Sequence, residues 1–308
     1  MDRNSRADSD RKFGRWRMTS WLTMQVNNTR GALQRTVMVA WYVIRAAVRN
    51  VGAAGGGWAL LATFRAAAEA VAMDVDGPVP QHIAVIMDGN RRFGRREHGD
   101  SLSGHAAGGR KLNEFVEWCV EAGVKILTVF AFSTENWKRD PGEVEGMMAL
   151  FLAEVPRLGE HVARLDVRVR FLVSEDGPLP LELKTAMHEL EEKTARSDGL
   201  QLNVCLSYGG RGDVLEACKC LAREAKAGKI DPDGIDEGAL AGRMLTGGLP
   251  DPDVLIRTSG EKRLSNFLMF QLAYAELFFL DKHWPEVTRK DLNEIITKYQ
   301  QRHRRFGK

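Results

Sequence analysis

From about residue 80 onward, short apolar runs rich in β-branched residues alternate with longer amphipathic stretches, and this rhythm predicts the elements of the chain. Residues 83–87, 126–132, 167–173, 200–206, 254–257 and 277–280 are expected as strands. Between them, residues 108–122, 143–158, 181–194 and 213–227 are expected as helices, and 288–305 as a closing helix whose last turns are strongly basic. Continuous apolar strands separated by helices predict an α/β fold, a mostly parallel sheet covered on both faces. Ligands of such sheets bind beyond the carboxyl ends of the strands, so the residues that follow each strand are the candidates for chemistry.

Before residue 78 the pattern is different. Apolar runs at 37–44 and 51–64 are interrupted by Arg45, Arg49 and Arg65, and neither reaches the roughly 18 to 20 residues needed to cross a bilayer. Residues 1–72 hold eleven Lys and Arg against four acids, a balance of +7, while the remaining residues carry −4. The formal charge of +3 therefore conceals a basic, apolar leader on a mildly acidic body. Basic residues interleaved with Trp16, Trp21, Trp41, Tyr42 and Trp58 suit a helix lying in a membrane interface. A helical extension packed on the body and an Arg-rich cleaved presequence are the alternatives, the latter opposed by Asp2, Asp8 and Asp10. Residues 74–80, with Gly77, Pro78 and Pro80, read as a linker, giving an extension over 1–77 and a body over 78–308.

Length and composition change this picture little. With 308 residues and 44% hydrophobic content the chain can bury a sizeable core, which excludes a disulfide miniprotein, a coiled coil and a disordered tail. Four cysteines form no CxxC pair and seven histidines are scattered, so neither a zinc site nor a disulfide framework is expected, but reduced thiols facing a cytosol. Neither a Walker loop nor GxGxxG is present, and no nucleic-acid partner is expected.

Three of the post-strand loops suit anions. The first, Asp88-Gly89-Asn90-Arg91-Arg92, combines a carboxylate, a glycine that lets backbone approach a ligand, and guanidinium forks. A carboxylate among cations makes sense if magnesium bridges it to phosphate oxygens, although the same residues also serve an ordinary solvated turn. The second, from Phe132 to Arg139, is crowded with aromatic, hydroxyl, acid, amide and guanidinium groups, and could equally be a capping segment anchored by Trp137. The third, from Arg257 to Ser265, places two Arg, one Lys and three hydroxyls around a glycine, the composition of an anion cradle or of a charged turn. Glu276 is flanked by apolar residues, where burial demands a partner. Three such loops on one sheet edge point to a substrate with more than one phosphate group.

Taken in order, His82 to Arg92 (His-Ile-Ala-Val-Ile-Met-Asp-Gly-Asn-Arg-Arg), Phe132 to Trp137 (Phe-Ser-Thr-Glu-Asn-Trp), Tyr208 to Arg211 (Tyr-Gly-Gly-Arg) and the Arg257 to Ser265 loop make the chain resemble the cis-prenyltransferases, the undecaprenyl and dehydrodolichyl diphosphate synthases. The resemblance covers about residues 78–308 and implies six parallel strands ringed by helices, with a hydrophobic tunnel above a diphosphate site. It implies an allylic diphosphate such as farnesyl diphosphate at Gly89, Arg91, Arg92, His105 and Arg139, and isopentenyl diphosphate at Arg257, Arg263 and Ser265. It further implies magnesium on Asp88 with Glu276, a role for Asn90 in the proton step, and Phe132 and Trp137 on the tunnel wall, where plain core packing competes. Arg91-Arg92-Phe93 resembles the eukaryotic dolichol branch, implying the cytosolic face of the endoplasmic reticulum. Ser101 stands where relatives often carry Arg, so Arg95 or Arg96 must substitute or diphosphate binding weakens.

Arg305-Phe306-Gly307 matches the Arg-x-Gly ending of single-subunit members, which implies a homodimer in which Arg305 and Gly307 complete the partner's isopentenyl site. A basic helix end is the plainer reading. Two rivals stand against it: a non-catalytic accessory subunit of the same fold, opposed by the intact motifs, and a phosphate-ester hydrolase using Asp88 as nucleophile, opposed by the lack of a supporting acid loop.

Overall fold

The computed structural model describes residues 77–174 and 178–302. The chain divides into two units, Met1–Pro78 and Val79–Lys308, and the second carries every element below. The leader, with its expected membrane-surface helix, lies outside the described residues.

Six strands form one sheet in the order β3-β4-β2-β1-β5-β6, and every neighbouring pair is parallel. The strands are β1 (His82–Ile86), β2 (Ile126–Ser133), β3 (Arg168–Leu172), β4 (Gln201–Tyr208), β5 (Val254–Arg257) and β6 (Glu276–Phe279). Helices α1 (Asn90–Glu97), α2 (Ser101–Ala122), α3 (Pro141–Val162), α4 (Leu181–Thr194), α5 (Gly210–Lys226), α6 (Glu237–Ala241) and α7 (Arg289–Gln300) supply most of the crossovers. All five residues of β1 are buried, as expected of a central strand covered on both sides. Ala84, Ile86, Cys205 and Leu255 project from one face against Phe267, Leu268 and Leu272. On α2, Phe115 is fully buried and packs on Trp284 at 5.2 Å between ring centroids.

The helix boundaries follow local chemistry. Asp100 caps α2 by accepting from Ser103 N at 2.8 Å, and Gly123 closes it at φ 82°. That start is seven residues earlier than the expected 108, because Gly104, Gly108 and Gly109 dilute the apolar periodicity of the first turns. Those glycines have a packing reason: a Cβ on Gly94 of α1 would stand 2.6 Å from Gly104 N, so the two helices touch backbone to backbone. The closing helix α7 ends at Gln300, short of the expected 305. Arg302 leaves the helical path to lie over the Phe278 ring at 5.0 Å and to pair with Glu276.

At the amino end of the sheet a buried polar chain ties three strands. His82 Nδ1 meets Pro250 O at 2.7 Å, and a carbonyl can only accept, so the proton sits on Nδ1. Nε2 then accepts from the Thr128 hydroxyl at 2.8 Å, and Thr128 accepts from Asn203 Nδ2 at 2.9 Å. Burial pushes the His82 pKa down to about 4, so this histidine is neutral.

Candidate active site

The carboxyl ends of β1, β2 and β5 bring the three anion-suited loops to one edge. Asp88, just past β1, is the hub. Its Oδ2 accepts from Arg257 Nη2 at 3.0 Å, its Oδ1 from Gly89 N at 2.7 Å, and Arg92 Nη2 lies 3.6 Å from Oδ1. Its carbonyl accepts from the Thr258 hydroxyl at 2.7 Å and from Trp284 N at 3.0 Å. Arg257 is 3% exposed, a buried guanidinium that also donates to Ser265 Oγ at 2.8 Å and to the Arg263 carbonyl. Glu261 bridges Arg92 at 3.3 Å and Arg263. The first and third loops therefore interlock through alternating charges.

Gly89 is at φ 98°, and a Cβ there would stand 2.6 Å from His283 Nδ1 and 2.8 Å from Ser259 Oγ, two atoms that are themselves 2.7 Å apart. Only glycine fits both demands. The following α1 starts without a side-chain cap, leaving its first amides for another acceptor. The third loop holds Ser259, Ser265, Asn266 and Leu268 at positive φ, a strained run. Asn266 helps pin it, accepting from Arg211 N at 2.9 Å through its side chain and from Gly210 N at 2.7 Å through its carbonyl, and donating to Glu135 at 2.8 Å.

On the other side of the mouth, Glu143 of α3 pairs with Arg91 Nη2 at 3.0 Å and Arg139 Nη1 at 3.2 Å. His105 lies within their field. Burial first, then the two guanidiniums, push its pKa down to about 4, against an upward pull from Glu143. Among the described residues, the buried side-chain atoms that lack a hydrogen-bond partner include Asn90 Oδ1, Arg91 Nε, His105 Nε2 and Arg257 Nε. Four orphaned polar atoms around one mouth are the mark of a site whose partners arrive with a ligand.

The structure sorts the expected residues. Asp88, Gly89, Arg92, Arg257, Arg263 and Ser265 stand together at this edge, while Arg91 pairs with Glu143. Phe132 and Trp137 meet edge to face at 5.0 Å, Trp137 donates to Ser207 Oγ at 2.9 Å, and Phe132 also packs on Phe151 at 6.0 Å. Arg95 donates to Ser101 Oγ at 3.1 Å, whereas Arg96 is held by Glu97 and Glu286, so Arg95 is the cation at the Ser101 position. Glu276 pairs in register with Val254 at the amino end of the sheet, three residues before Arg257, and it is engaged by Arg302. At roughly 3.3 Å per residue Glu276 stands about 10 Å along the strands from the Arg257 end, beyond which Asp88 lies. Arg305 and Gly307 lie outside the described residues. Sequence reasoning did not single out Glu143, Ser259 or His283. The i,i+4 spacing of Arg139 and Glu143 was a visible signal, but nothing in the sequence joins His283 to Gly89.

The family described as putative undecaprenyl diphosphate synthases matches residues 86–307. The chain belongs to this family. It is thus a cis-prenyltransferase, a transferase built on a six-stranded parallel sheet. It is 44% identical over 234 residues to a tritrans,polycis-undecaprenyl-diphosphate synthase, geranylgeranyl-diphosphate specific, from Thermococcus kodakarensis, covering 75% of this chain and 88% of that protein. It is 43% identical over 229 residues to a ditrans,polycis-undecaprenyl-diphosphate synthase, (2E,6E)-farnesyl-diphosphate specific, from Xanthomonas axonopodis pv. citri, covering 74% and 89%. Among solved structures, lavandulyl diphosphate synthase from Lavandula x intermedia in complex with dimethylallyl diphosphate superposes with a TM-score of 0.72 at 30% identity, covering 75% of this chain and 99% of that one.

Proposed function

We propose that this cis-prenyltransferase condenses isopentenyl diphosphate onto an allylic diphosphate, with farnesyl diphosphate as primer, to build a long-chain polyprenyl diphosphate. The observation that carries this reading is the Asp88 hub, one carboxylate set between Arg92 and Arg257 with four unpartnered polar atoms around it. The inventory suits two diphosphates, one over Gly89, Arg92 and the bare start of α1, the other over Arg263 and Ser265.

The donor set fits magnesium. Asp88 sets its carboxylate between Arg92 of the first loop and the buried Arg257 of the third, and among the described residues no cluster of three or more metal-ligating side chains exists. Magnesium commonly takes one or two carboxylates and completes its shell with phosphate oxygens and water. Asp88 would hold the ion, which when bound supplies charge neutralisation on the leaving diphosphate. Arg92, the Gly89 N–H and the amides of α1 would stabilise the same developing charge. Carbon 4 of the isopentenyl unit then bonds to carbon 1 of the allylic chain as the bond to the leaving diphosphate breaks. A proton is lost from carbon 2 of the isopentenyl unit, leaving the cis double bond. Asn90 Oδ1, buried and without a donor, would orient that step. An amide oxygen is too weak a base to keep the proton, so a phosphate oxygen would receive it.

The dolichol assignment rests on Arg91-Arg92-Phe93; the relatives named above from Thermococcus and Xanthomonas are undecaprenyl synthases that differ in primer. Homodimerisation through Arg305 and Gly307, and a peripheral tether through the +7 leader at the cytosolic face of the endoplasmic reticulum, complete the proposal. Steady-state kinetics test the two subsites: Arg92→Ala should raise the KM for the allylic diphosphate, and Ser265→Ala that for isopentenyl diphosphate. Equal effects of both variants on both substrates would refute the division.

A further inference from the structure

The mouth of the allylic subsite holds an acid that no motif marks. Glu143 sits in the first turn of α3, a turn fixed by Asp140, whose carboxylate accepts from Gly142 N at 3.0 Å and Glu143 N at 3.2 Å. Its two oxygens serve two elements: Oε2 takes Arg91 from α1, and Oε1 takes Arg139 from the loop before α3. The Arg139 pair alone would be an ordinary helix-surface contact. Glu143, however, is only 16% exposed, and its second partner comes from the helix that opens the diphosphate loop. His105 of α2 adds an uncharged ring, so the cluster has two cations and one anion, with Arg91 Nε and His105 Nε2 buried and unpaired. A merely structural ion pair would not leave its own donors bare beside an anion site.

We infer that Glu143 is a positioning residue of the allylic subsite, a shared carboxylate that holds Arg91 and Arg139 apart at fixed places so that a diphosphate is received in line for displacement. The inference rests on the reading of this mouth as the allylic-diphosphate site. Without the carboxylate, both guanidiniums are free to close on the incoming anion. Ground-state binding is then kept or tightened, while alignment, and with it turnover, is lost.

The test is steady-state kinetics of the full-length enzyme with farnesyl and isopentenyl diphosphates. Glu143→Gln should lower kcat roughly tenfold or more, with the allylic KM unchanged or lower and the isopentenyl KM unchanged. Glu143→Asp, one methylene shorter, should recover part of that loss, and it remains informative if the Gln variant does not fold. Arg91→Ala combined with Glu143→Gln should cost no more than the worse single change, because both break one unit. Wild-type kcat in Glu143→Gln, while Arg92→Ala still raises the allylic KM, overturns the role of Glu143 and leaves the subsite intact. If Arg92→Ala and Glu143→Gln both act on the isopentenyl KM instead, the subsite assignment itself is wrong.

Discussion

Replacing Asp88 by Asn keeps the side chain's shape and removes its charge, which separates its two duties. The carboxylate accepts from Arg257 Nη2 at 3.0 Å and from Gly89 N at 2.7 Å. An amide retains one acceptor oxygen but turns its nitrogen, a donor, toward a guanidinium or the Gly89 N–H. Arg257 keeps its bonds to Ser265 Oγ and the Arg263 carbonyl, so it is not left bare. The stability lost is that of one charge-assisted hydrogen bond, about 2 kcal/mol, or roughly 4–8 °C in melting temperature for a body of this size. Catalysis should suffer more. If Asp88 carries the ion that neutralises the leaving group, kcat/KM should fall by about 10²–10³, equivalent to about 3–4 kcal/mol of transition-state stabilisation. Thermal melting followed by circular dichroism and turnover of labelled isopentenyl diphosphate at 25 °C, where the variant stays folded, measure the two losses separately. A drop in kcat/KM of less than about tenfold would show that Asp88 is a structural counter-ion to Arg257 and not the centre of the chemistry.

Other outcomes follow from the same geometry. Gly89→Ala, which puts a methyl 2.6 Å from His283 Nδ1 at φ 98°, should raise the allylic KM more than the isopentenyl KM; equal changes would contradict the placement. His82 and His105 have pKa values near 4 when folded, below their usual 6.5. The unfolded chain therefore binds protons first, and stability, complete above pH 6.5, should fall as the pH drops toward 4, by at most about 3 kcal/mol for each group. A melting temperature flat across that window would refute it, and His82→Gln should remove part of the slope. Trp137→Phe, which forfeits the bond to Ser207 Oγ, should cost about 1 kcal/mol of stability by chemical denaturation, and no loss would show that the bond contributes nothing. Deleting residues 305–308 should cut turnover sharply without lowering the melting temperature, and full activity after truncation would end the idea of a shared dimer site.

Much of the fold was legible because central parallel strands are apolar on both faces. Residues 254–257 and 181–194 stand in the structure as expected, since neighbouring Pro, Gly and Asp mark their ends. The start of α2 was hidden because helix-to-helix contact selected glycines at Gly104 and Gly108, and glycine carries no periodic signal. Within the site, the loops directly after β1 and β5 could be read, because each packs its chemistry into a few consecutive residues. What could not be read was pairing across distance. Glu276 follows the cradle closely in sequence yet opens β6 at the other end of the sheet, because in a parallel sheet the connection after β5 must bring the chain back to the amino end. His283 meets Gly89 only through the return of the chain after β6.

The most direct test is to incubate the purified full-length protein with farnesyl diphosphate, radiolabelled isopentenyl diphosphate and magnesium, and to size the lipid products. A ladder of chain-elongated polyprenyl diphosphates, abolished by Asp88→Ala, is the predicted result. Release of inorganic phosphate without elongation, or elongation that survives Asp88→Ala, would contradict it.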